Sequence, residues 1–306
     1  MSSEPGTTNQ TPRRRALLLA NRHARRGGEA IDEARAVLAA GGVDVEEHDY
    51  PKKHPIPDAI RAAAGSYDCV IVGGGDGTLH SVAPALLETG LTLGILPLGT
   101  ANDLARTLGI APDPVVAAGV IAAGHVREVD LGEVNGHPYW NVASIGLSVE
   151  LANELTTETK RRWGVLGYAI AALRVLRRMR PFTAQIEHED GRVERSRTVQ
   201  VAVGNGRHYG GGMTVEVGAQ PDDGLLHAYS LEIQHWWQLL ALFPALRSGR
   251  QGDWREVRAF AATELQVRTR RPRKVNADGE IITRTPARFR VYPRAIRVYA
   301  PERQQV

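Results

Sequence analysis

The chain has 306 residues, 24% of them charged and 42% hydrophobic, with a formal net charge of +4 and a sequence pI near 9.4. These proportions fit a soluble globular protein with room for one large domain or two ordinary ones. A single cysteine, Cys69, excludes a disulfide framework and fits a reducing, cytoplasmic setting, while the mild basic excess is compatible with an anionic surface and proves no nucleic-acid partner.

Met1 to Pro12 are polar and rich in Ser, Thr, Gly and Pro, and are expected to form a disordered tail. Arg13 to Arg15 followed by Ala16 to Ala20 imitates a signal peptide, but the apolar run stops at Asn21 and Arg22, too short for export. From Arg15 onward, strand-like and helix-like segments alternate. Arg15 to Ala20 is a strand, and Glu29 to Ala40 a helix ending at Gly41-Gly42. Asp44 to His48 is a strand, Pro57 to Ala64 a helix, and Cys69 to Val72 a buried strand. Leu79, Val82, Leu86 and Leu87 then recur at helical spacing, and Leu93 to Leu96 is a further strand. This βαβα order predicts a mostly parallel sheet covered by helices, with ligands beyond the carboxyl ends of its strands.

The character changes after about Leu131. A hairpin is predicted around Glu189-Asp190-Gly191, with Val199, Val201 and Val203 in alternation. Strand-like pieces recur at Leu225 to Leu231, Leu265 to Thr269, Phe289 to Val291 and Ile296 to Tyr299. Helical stretches at Trp163 to Met179 and His235 to Leu246 interrupt them. The pattern predicts a second, mainly antiparallel β domain with helical insertions. The longest strongly apolar uncharged stretch, Gln234 to Leu246, is too short to cross a bilayer, so any membrane contact is expected to be peripheral.

Residues 69 to 80, Cys-Val-Ile-Val-Gly-Gly-Gly-Asp-Gly-Thr-Leu-His, say the most about chemistry. A strand running into glycines and then into a helix directs free amides and the helix dipole at an anion such as phosphate. It is not a Walker A loop, since no lysine lies between Lys53 and Lys160. Nor is it the dinucleotide fingerprint, since Thr78 stands where the third glycine belongs. Asp76 would repel a bare phosphate and makes sense with a divalent cation between them. Residues 97 to 105, Pro-Leu-Gly-Thr-Ala-Asn-Asp-Leu-Ala, repeat the strand, turn and helix start; alone they read equally as a helix cap, and beside the first loop as the other wall of one site. Gly204-Asn205-Gly206 with Gly210 to Gly212 is a loop open to either a flexible or a binding role. Gln220-Pro221-Asp222-Asp223-Gly224-Leu225 is a turn that could also hold a cation. Asn276-Ala277-Asp278-Gly279-Glu280 puts two carboxylates two residues apart, a solvated turn on its own. Flanking a reactive hydroxyl, one of them would take its proton while the other orients it.

Gly-Gly-Asp-Gly-Thr at 74 to 78, Pro-Leu-Gly-Thr-Ala-Asn-Asp at 97 to 103, Asp-Gly-Leu-Leu at 223 to 226 and Asp-Gly-Glu at 278 to 280 occur in that order. With them the chain resembles the bacterial soluble lipid kinases of the diacylglycerol kinase catalytic-domain family, from about Arg15 to Pro301. The resemblance implies a Rossmann-like α/β nucleotide-binding domain of the NAD kinase and phosphofructokinase kind (residues 13–133 plus about 295–306). A β-sandwich (134–294) would follow, with the active site in the cleft between them and the last strand returning to the first domain. ATP phosphates would lie on Gly74, Gly75, Asp76, Gly77, Thr78, Leu79 and His80, with Thr100 nearby and Asn21, Arg22, His23, Ala24 and Arg25 on a third side. Asp76, Asp103 and Asp130 would organise catalytic magnesium, and Glu280 would be the general base with Asp278 beside it. Asp223 and the carbonyls of Gln220 and Leu225 would hold a structural magnesium.

Three positions depart from the family pattern: no proline follows Asn21, His80 stands where asparagine is common, and Ala219-Gln220-Pro221 replaces Pro-x-Ala. The implied partners are ATP and a lipid at a membrane surface, with a homodimer left open. Lys160 to Arg180 and His235 to Arg250, the latter with Trp236 and Trp237, read either as membrane-facing amphipathic helices or as core-packing ones. Two rival functions stay open: a kinase of a soluble acceptor such as NAD, and a catalytically silent nucleotide- or lipid-binding module.

Overall fold

The computed structural model describes residues 13–20, 27–48, 55–154, 175, 177–178, 180–206, 208–209, 213–214, 219–248, 250 and 253–302. The expected tail, the Asn21 to Arg25 loop and most of Trp163 to Met179 therefore lie outside the described residues. Strands β1 (Arg14–Ala20), β2 (Val43–His48), β3 (Cys69–Gly74) and β4 (Thr92–Pro97) stand in the order β2-β1-β3-β4 and run parallel. β3 and β4 are buried at every position, the reason their sequences are unbroken apolar runs without alternation. Helices α1 (Gly27–Ala40), α2 (Ile56–Ala63), α3 (Asp76–Thr89), α4 (Asp103–Thr107) and α5 (Pro114–Ala123) complete this layer. α1 packs on α5 and α2 on α3, and Leu18, Ile31, Leu38, Ile60, Ile71, Leu79 and Leu86 fill the core between them and the sheet. α3 stops at Gly90 in the left-handed region, and α5 starts at Asp113, whose carboxylate accepts the amides of Val115 and Val116.

The rest of the chain contributes β5 (Val126–Val134), β6 (His137–Tyr139), β7 (Val142–Gly146), β8 (Phe182–His188), β9 (Val193–Thr198) and β10 (Gln200–Gly204). Then come β11 (His208–Tyr209), β12 (Met213–Thr214), β13 (Leu226–Leu231), β14 (Val257–Ala262), β15 (Glu264–Thr269), β16 (Lys274–Ala277), β17 (Glu280–Arg284) and β18 (Ala287–Tyr299). β14-β13-β10-β7-β16-β17 form an antiparallel sheet. It faces a second antiparallel layer that includes β15, β8 and part of β18, and Ile145, Val201, Val203 and Leu226 on one side meet Ile186, Val267 and Phe289 on the other. This is the expected sandwich.

One expectation is corrected. Phe289 to Val291 and Ile296 to Tyr299 are not two strands but parts of β18, bent by an irregularity between Tyr292 and Ile296. The bend lets one strand serve both layers: Ala287 to Arg290 pair with β15 in the sandwich, while Val298 pairs in parallel with Leu93 of β4. The parallel sheet and one sandwich layer are thus a single ten-stranded sheet. The predicted hairpin closes between His188 and Arg192.

The further helices among the described residues include α6 (Leu147–Glu154) and α7 (Trp236–Ser248). α7 meets the second helical expectation, and its inner side has the core-packing character. Leu242, Leu239 and Ala245 pack against Tyr229, Leu231 and Val257 on the outer side of the antiparallel sheet. Trp237, 55% exposed and stacked on His235, faces outward with Ala241, Pro244 and Ser248.

Candidate active site

The two glycine loops meet backbone to backbone. β3 gives way to α3 at Gly75, whose extended backbone precedes the helix with no side chain capping its first amides. After β4, Gly99 and Asn102 close a loop reciprocally: the Gly99 N–H donates to Asn102 Oδ1 and Asn102 Nδ2 to the Gly99 carbonyl, both at 3.0 Å. Asn102 adopts the left-handed conformation, which asparagine tolerates, and so turns the chain into α4. A Cβ on Gly99 would stand 2.6 Å from the Gly75 Cα, and one on Gly75 3.0 Å from the Gly99 Cα. Asp76 then reaches across, its Oδ1 accepting the Leu104 amide at 3.2 Å. The structure therefore brings Gly74 to His80 and Pro97 to Asp103 together, with Asp76 and the buried Asp103 at adjacent helix starts and Thr100 exposed on the loop.

The third motif arrives from the sandwich. Ala277 and Glu280 pair across a two-residue turn in which Asp278 and Gly279 both have positive φ, as an Asp-Gly hairpin requires. Alone the motif reads as a solvated turn, yet the Asp278 side chain is 1% exposed. Its Oδ2 accepts the Trp140 amide at 2.7 Å, and its Oδ1 the amides of Asn141 and Val142 at 2.9 and 3.2 Å. His80 Nδ1 of α3 completes the set at 3.2 Å from Oδ2. The Trp140 indole donates to the Leu79 carbonyl at 2.7 Å, a second tie between α3 and this turn. Glu280, the first residue of β17, stays exposed.

The charges follow from these contacts. Burial pushes the Asp76 carboxyl above its ordinary range and the nearby Asp278 adds to this, against the opposing amides of Leu104 and Asp103. Burial works against a charge on His80, but its hydrogen bond to Asp278 and the charges of Asp278 and Glu280 win, so its pKa is raised.

Two further carboxylates assigned to magnesium have hydrogen-bond partners of their own. Asp130, 2% exposed, spends its carboxylate on the amides of Arg294 and Gly224, both at 2.7 Å, bracing the Pro221 to Gly224 turn. Among the described contacts it does not reach Asp76. Asp223 accepts the amides of Gln220 at 3.1 Å and Leu225 at 2.9 Å, and His227 Nε2 stands 2.8 Å away. Those amides and the imidazole orient the carboxylate within its own turn, and a carboxylate keeps further lone pairs that a cation would use. Asp76 and Asp103, at adjacent helix starts, are the carboxylates a catalytic magnesium would use. Magnesium usually takes one or two carboxylates and completes its shell with water and phosphate. Among the described residues no three His, Cys, Asp or Glu side chains form a metal-binding cluster.

Sequence reasoning missed Trp140 and the role of Asn205. Asn205 Nδ2 donates to the carbonyls of Asp130 and Trp140, both at 3.0 Å, tying β5 to the segment before β7. The Gly-Asn-Gly signal was visible; its partners, more than sixty residues away in the chain, were not.

A phosphate-type loop crossed by a carboxylate, with an Asp-Gly-Glu turn of the sandwich tied to the same helix, suits phosphoryl transfer, the chemistry of a phosphotransferase with an alcohol acceptor. The comparisons agree. Residues 15–134 match the family model of the diacylglycerol kinase catalytic domain, and residues 141–300 that of the YegS C-terminal NAD kinase beta sandwich-like domain. The chain is 33% identical over 285 residues to a diacylglycerol kinase of Mycobacterium tuberculosis, covering 90% of this chain and 91% of that one. It is 32% identical over 288 residues to a YegS-like lipid kinase of Pseudomonas aeruginosa, covering 91% and 92%. A solved chain from Bacillus anthracis superimposes with a TM-score of 0.82 at 26% identity, covering 98% of this chain and 99% of that one. The chain belongs to the diacylglycerol kinase catalytic-domain family.

Proposed function

We propose that the chain transfers the γ-phosphoryl group of ATP to the hydroxyl of a membrane lipid, whether diacylglycerol-like, phosphatidylglycerol or sphingoid. The observation that carries this reading is the Gly75–Gly99 contact, which sets Asp76 and the amino end of α3 beside Asp103, with the Asp278–Glu280 turn tied to the same helix. Phosphoryl transfer demands little covalent chemistry; positioning and charge neutralisation supply most of the rate. In this reading the α/β layer is the nucleotide domain (13–133 with about 295–306) and the sandwich (134–294) brings the base. The amides of Gly74 to His80 cradle the phosphates, with Thr100 and the Asn21 to Arg25 loop alongside. Asp76 and Asp103 would hold magnesium, which would neutralise charge on the triphosphate. Glu280 takes the proton of the attacking hydroxyl, and Asp278 fixes the turn that presents it.

The lipid is reached peripherally. Among the described residues no helix is long and apolar enough to cross a membrane. The outward side of α7 offers Trp237, Ala241 and Pro244 without a charge between them, a surface suited to the headgroup region.

The test is transfer of labelled γ-phosphate from ATP with magnesium to lipids extracted from the host and dispersed in mixed micelles, with Asp76→Ala as control. A labelled lipid that vanishes in the variant supports the reading and names the substrate. Label in soluble acceptors such as NAD, with none in lipid, replaces the acceptor. No label in either fraction from folded, ATP-binding protein points to a silent binding module.

A further inference from the structure

We propose that His80 is a positioning residue for the transfer: its Nδ1–H holds Asp278, and with it the turn that carries Glu280, against the helix following the phosphate loop. The inference rests on the kinase reading above and extends it to a position where the family resemblance places asparagine.

The geometry carries it. Among the described residues, four hydrogen bonds reach the Asp278 carboxylate, and three come from the main chain at Trp140, Asn141 and Val142. Those three fix the carboxylate to the segment between β6 and β7. The fourth, from His80, joins it to α3, whose first residue is Asp76. Because a carboxylate only accepts, Nδ1 must carry the hydrogen in either protonation state. Neutral His80 therefore offers Nε2 as an acceptor, and charged His80 offers it as a second donor. The imidazole is mostly enclosed, with 16% of its side chain exposed, so Asp278 fixes its ring as firmly as it fixes Asp278. Glu280 lies two residues beyond, across a two-residue turn, and any rocking of that turn moves the base relative to Asp76.

The titratable groups around His80 act in one direction. Asp278 and Glu280 face it from the turn and favour its charge, which burial opposes. Asp76 on its own helix is a further carboxylate in the same cluster, and Tyr139 of β6, fully buried near Asp278, stays neutral with its pKa raised well above the usual range. A protonated His80 thus offsets negative charge where a triphosphate would add more. Asparagine could donate the same hydrogen bond through Nδ2 but never supply the charge.

The experiment measures kcat and KM against pH for wild type, His80→Asn and His80→Leu, with ATP and 1,2-dioctanoylglycerol in mixed micelles. His80→Leu is expected to lose about tenfold or more in kcat with KM for ATP changed less than about threefold, since it unseats the turn and not the nucleotide. His80→Asn should recover most of that loss. It should also lack the fall in kcat that wild type is expected to show as pH rises through the raised pKa of His80. The proposal is overturned if His80→Leu keeps wild-type kcat, if His80→Asn falls as far as His80→Leu, or if wild type and His80→Asn share one pH profile. A rise in KM for ATP with unchanged kcat overturns it too, making His80 part of the phosphate cradle.

A thermal arm separates this failure from failure of the kinase reading. A wild type that labels no lipid removes any role in transfer. The pairing itself then stands or falls on whether His80→Leu destabilises the fold more below about pH 6.5 than at alkaline pH.

Discussion

Gly99→Ala isolates the contact on which the site is built. The added Cβ would stand 2.6 Å from the Gly75 Cα and 2.7 Å from Asn102 Oδ1, about 0.8 Å inside the 3.4 Å at which ordinary contact begins. The first obstacle is backbone, so no rotamer change relieves it. One loop must back away, and the paired hydrogen bonds between Gly99 and Asn102 stretch as it does. Overpacking of this kind costs about 1–3 kcal/mol, and in a chain of this size that lowers the melting temperature by roughly 2–6 °C. Activity should suffer more than stability. A loop displaced by about 1 Å carries Asp76 out of register with Glu280, and such a misplacement costs about a hundredfold in rate. Gly77→Ala is the control for folding, because a Cβ there meets nothing within 4 Å. As the second residue of α3 it should melt with wild type or slightly above it, by less than the roughly 0.5–1 kcal/mol of a mid-helix position. Thermal melts of the three proteins and labelled-phosphate transfer by wild type and Gly99→Ala settle the matter. A Gly99→Ala protein that melts with wild type and turns over within threefold of it would refute the argued contact.

Three further outcomes follow from the same geometry. Asp76→Asn should abolish transfer yet raise the melting temperature of the ligand-free protein: the folded pKa lies above its ordinary value of 3.8, so ionised Asp76 weakens the fold above that folded pKa and does nothing at strongly acid pH. Melts across pH check the sign, and an Asn variant less stable at neutral pH contradicts it. Asp278→Ala strips the acceptor from three main-chain amides and His80, and should cost about 3–5 kcal/mol by denaturant titration, since each buried orphan donor costs about 1–3. A loss under about 1 kcal/mol would mean those amides find other partners. Trp237→Ala should weaken binding to anionic phospholipid vesicles about tenfold, in keeping with burial of one large apolar side chain at the interface. Unchanged flotation with vesicles removes α7 from the membrane contact.

Local chemistry made the parallel layer legible. Buried strands read as apolar runs, Gly41-Gly42 marks a helix end, and strand-glycine-helix order locates both loops. The hairpin at Glu189 to Gly191 was equally local. Long-range pairing was not legible: nothing in Phe289 to Tyr299 announces that one bent strand joins two layers, because the bend is defined by its partners β5, β15 and β4. The same limit applies to the site. Asp278 was visible as half of a carboxylate pair, but its burial is set by amides at Trp140 to Val142, which carry no side-chain signature. Asp223 shows a related limit, since a cation turn and an aspartate capping its own amides share one sequence, and its contact with His227 four residues on was not announced.

These features explain how a site assembled from distant segments keeps its spacing. The continuous sheet through β18 fixes the sandwich against the nucleotide layer at one edge. The edge alone would leave the β16–β17 turn free to pivot about it. Bonds from α3 and from Asn205, all directed at the segment from Trp140 to Val142 or at Asp278, remove that freedom. Glu133 adds a strut farther along β5, where Arg290 at 2.5 Å and Tyr292 both bond its carboxylate. Burial raises the Glu133 pKa, but these donors and the Gly136 amide outweigh it and hold the carboxyl below its usual range. That strut therefore contributes fully above the ordinary carboxylate range and weakens as pH falls through the depressed value. His80 behaves oppositely, tightening as pH falls. With both ties in place, geometry between Asp76 and Glu280 is held best between the ordinary carboxylate value of 4.5 and the ordinary imidazole value of 6.5, where the carboxylate is ionised and the imidazole carries its charge.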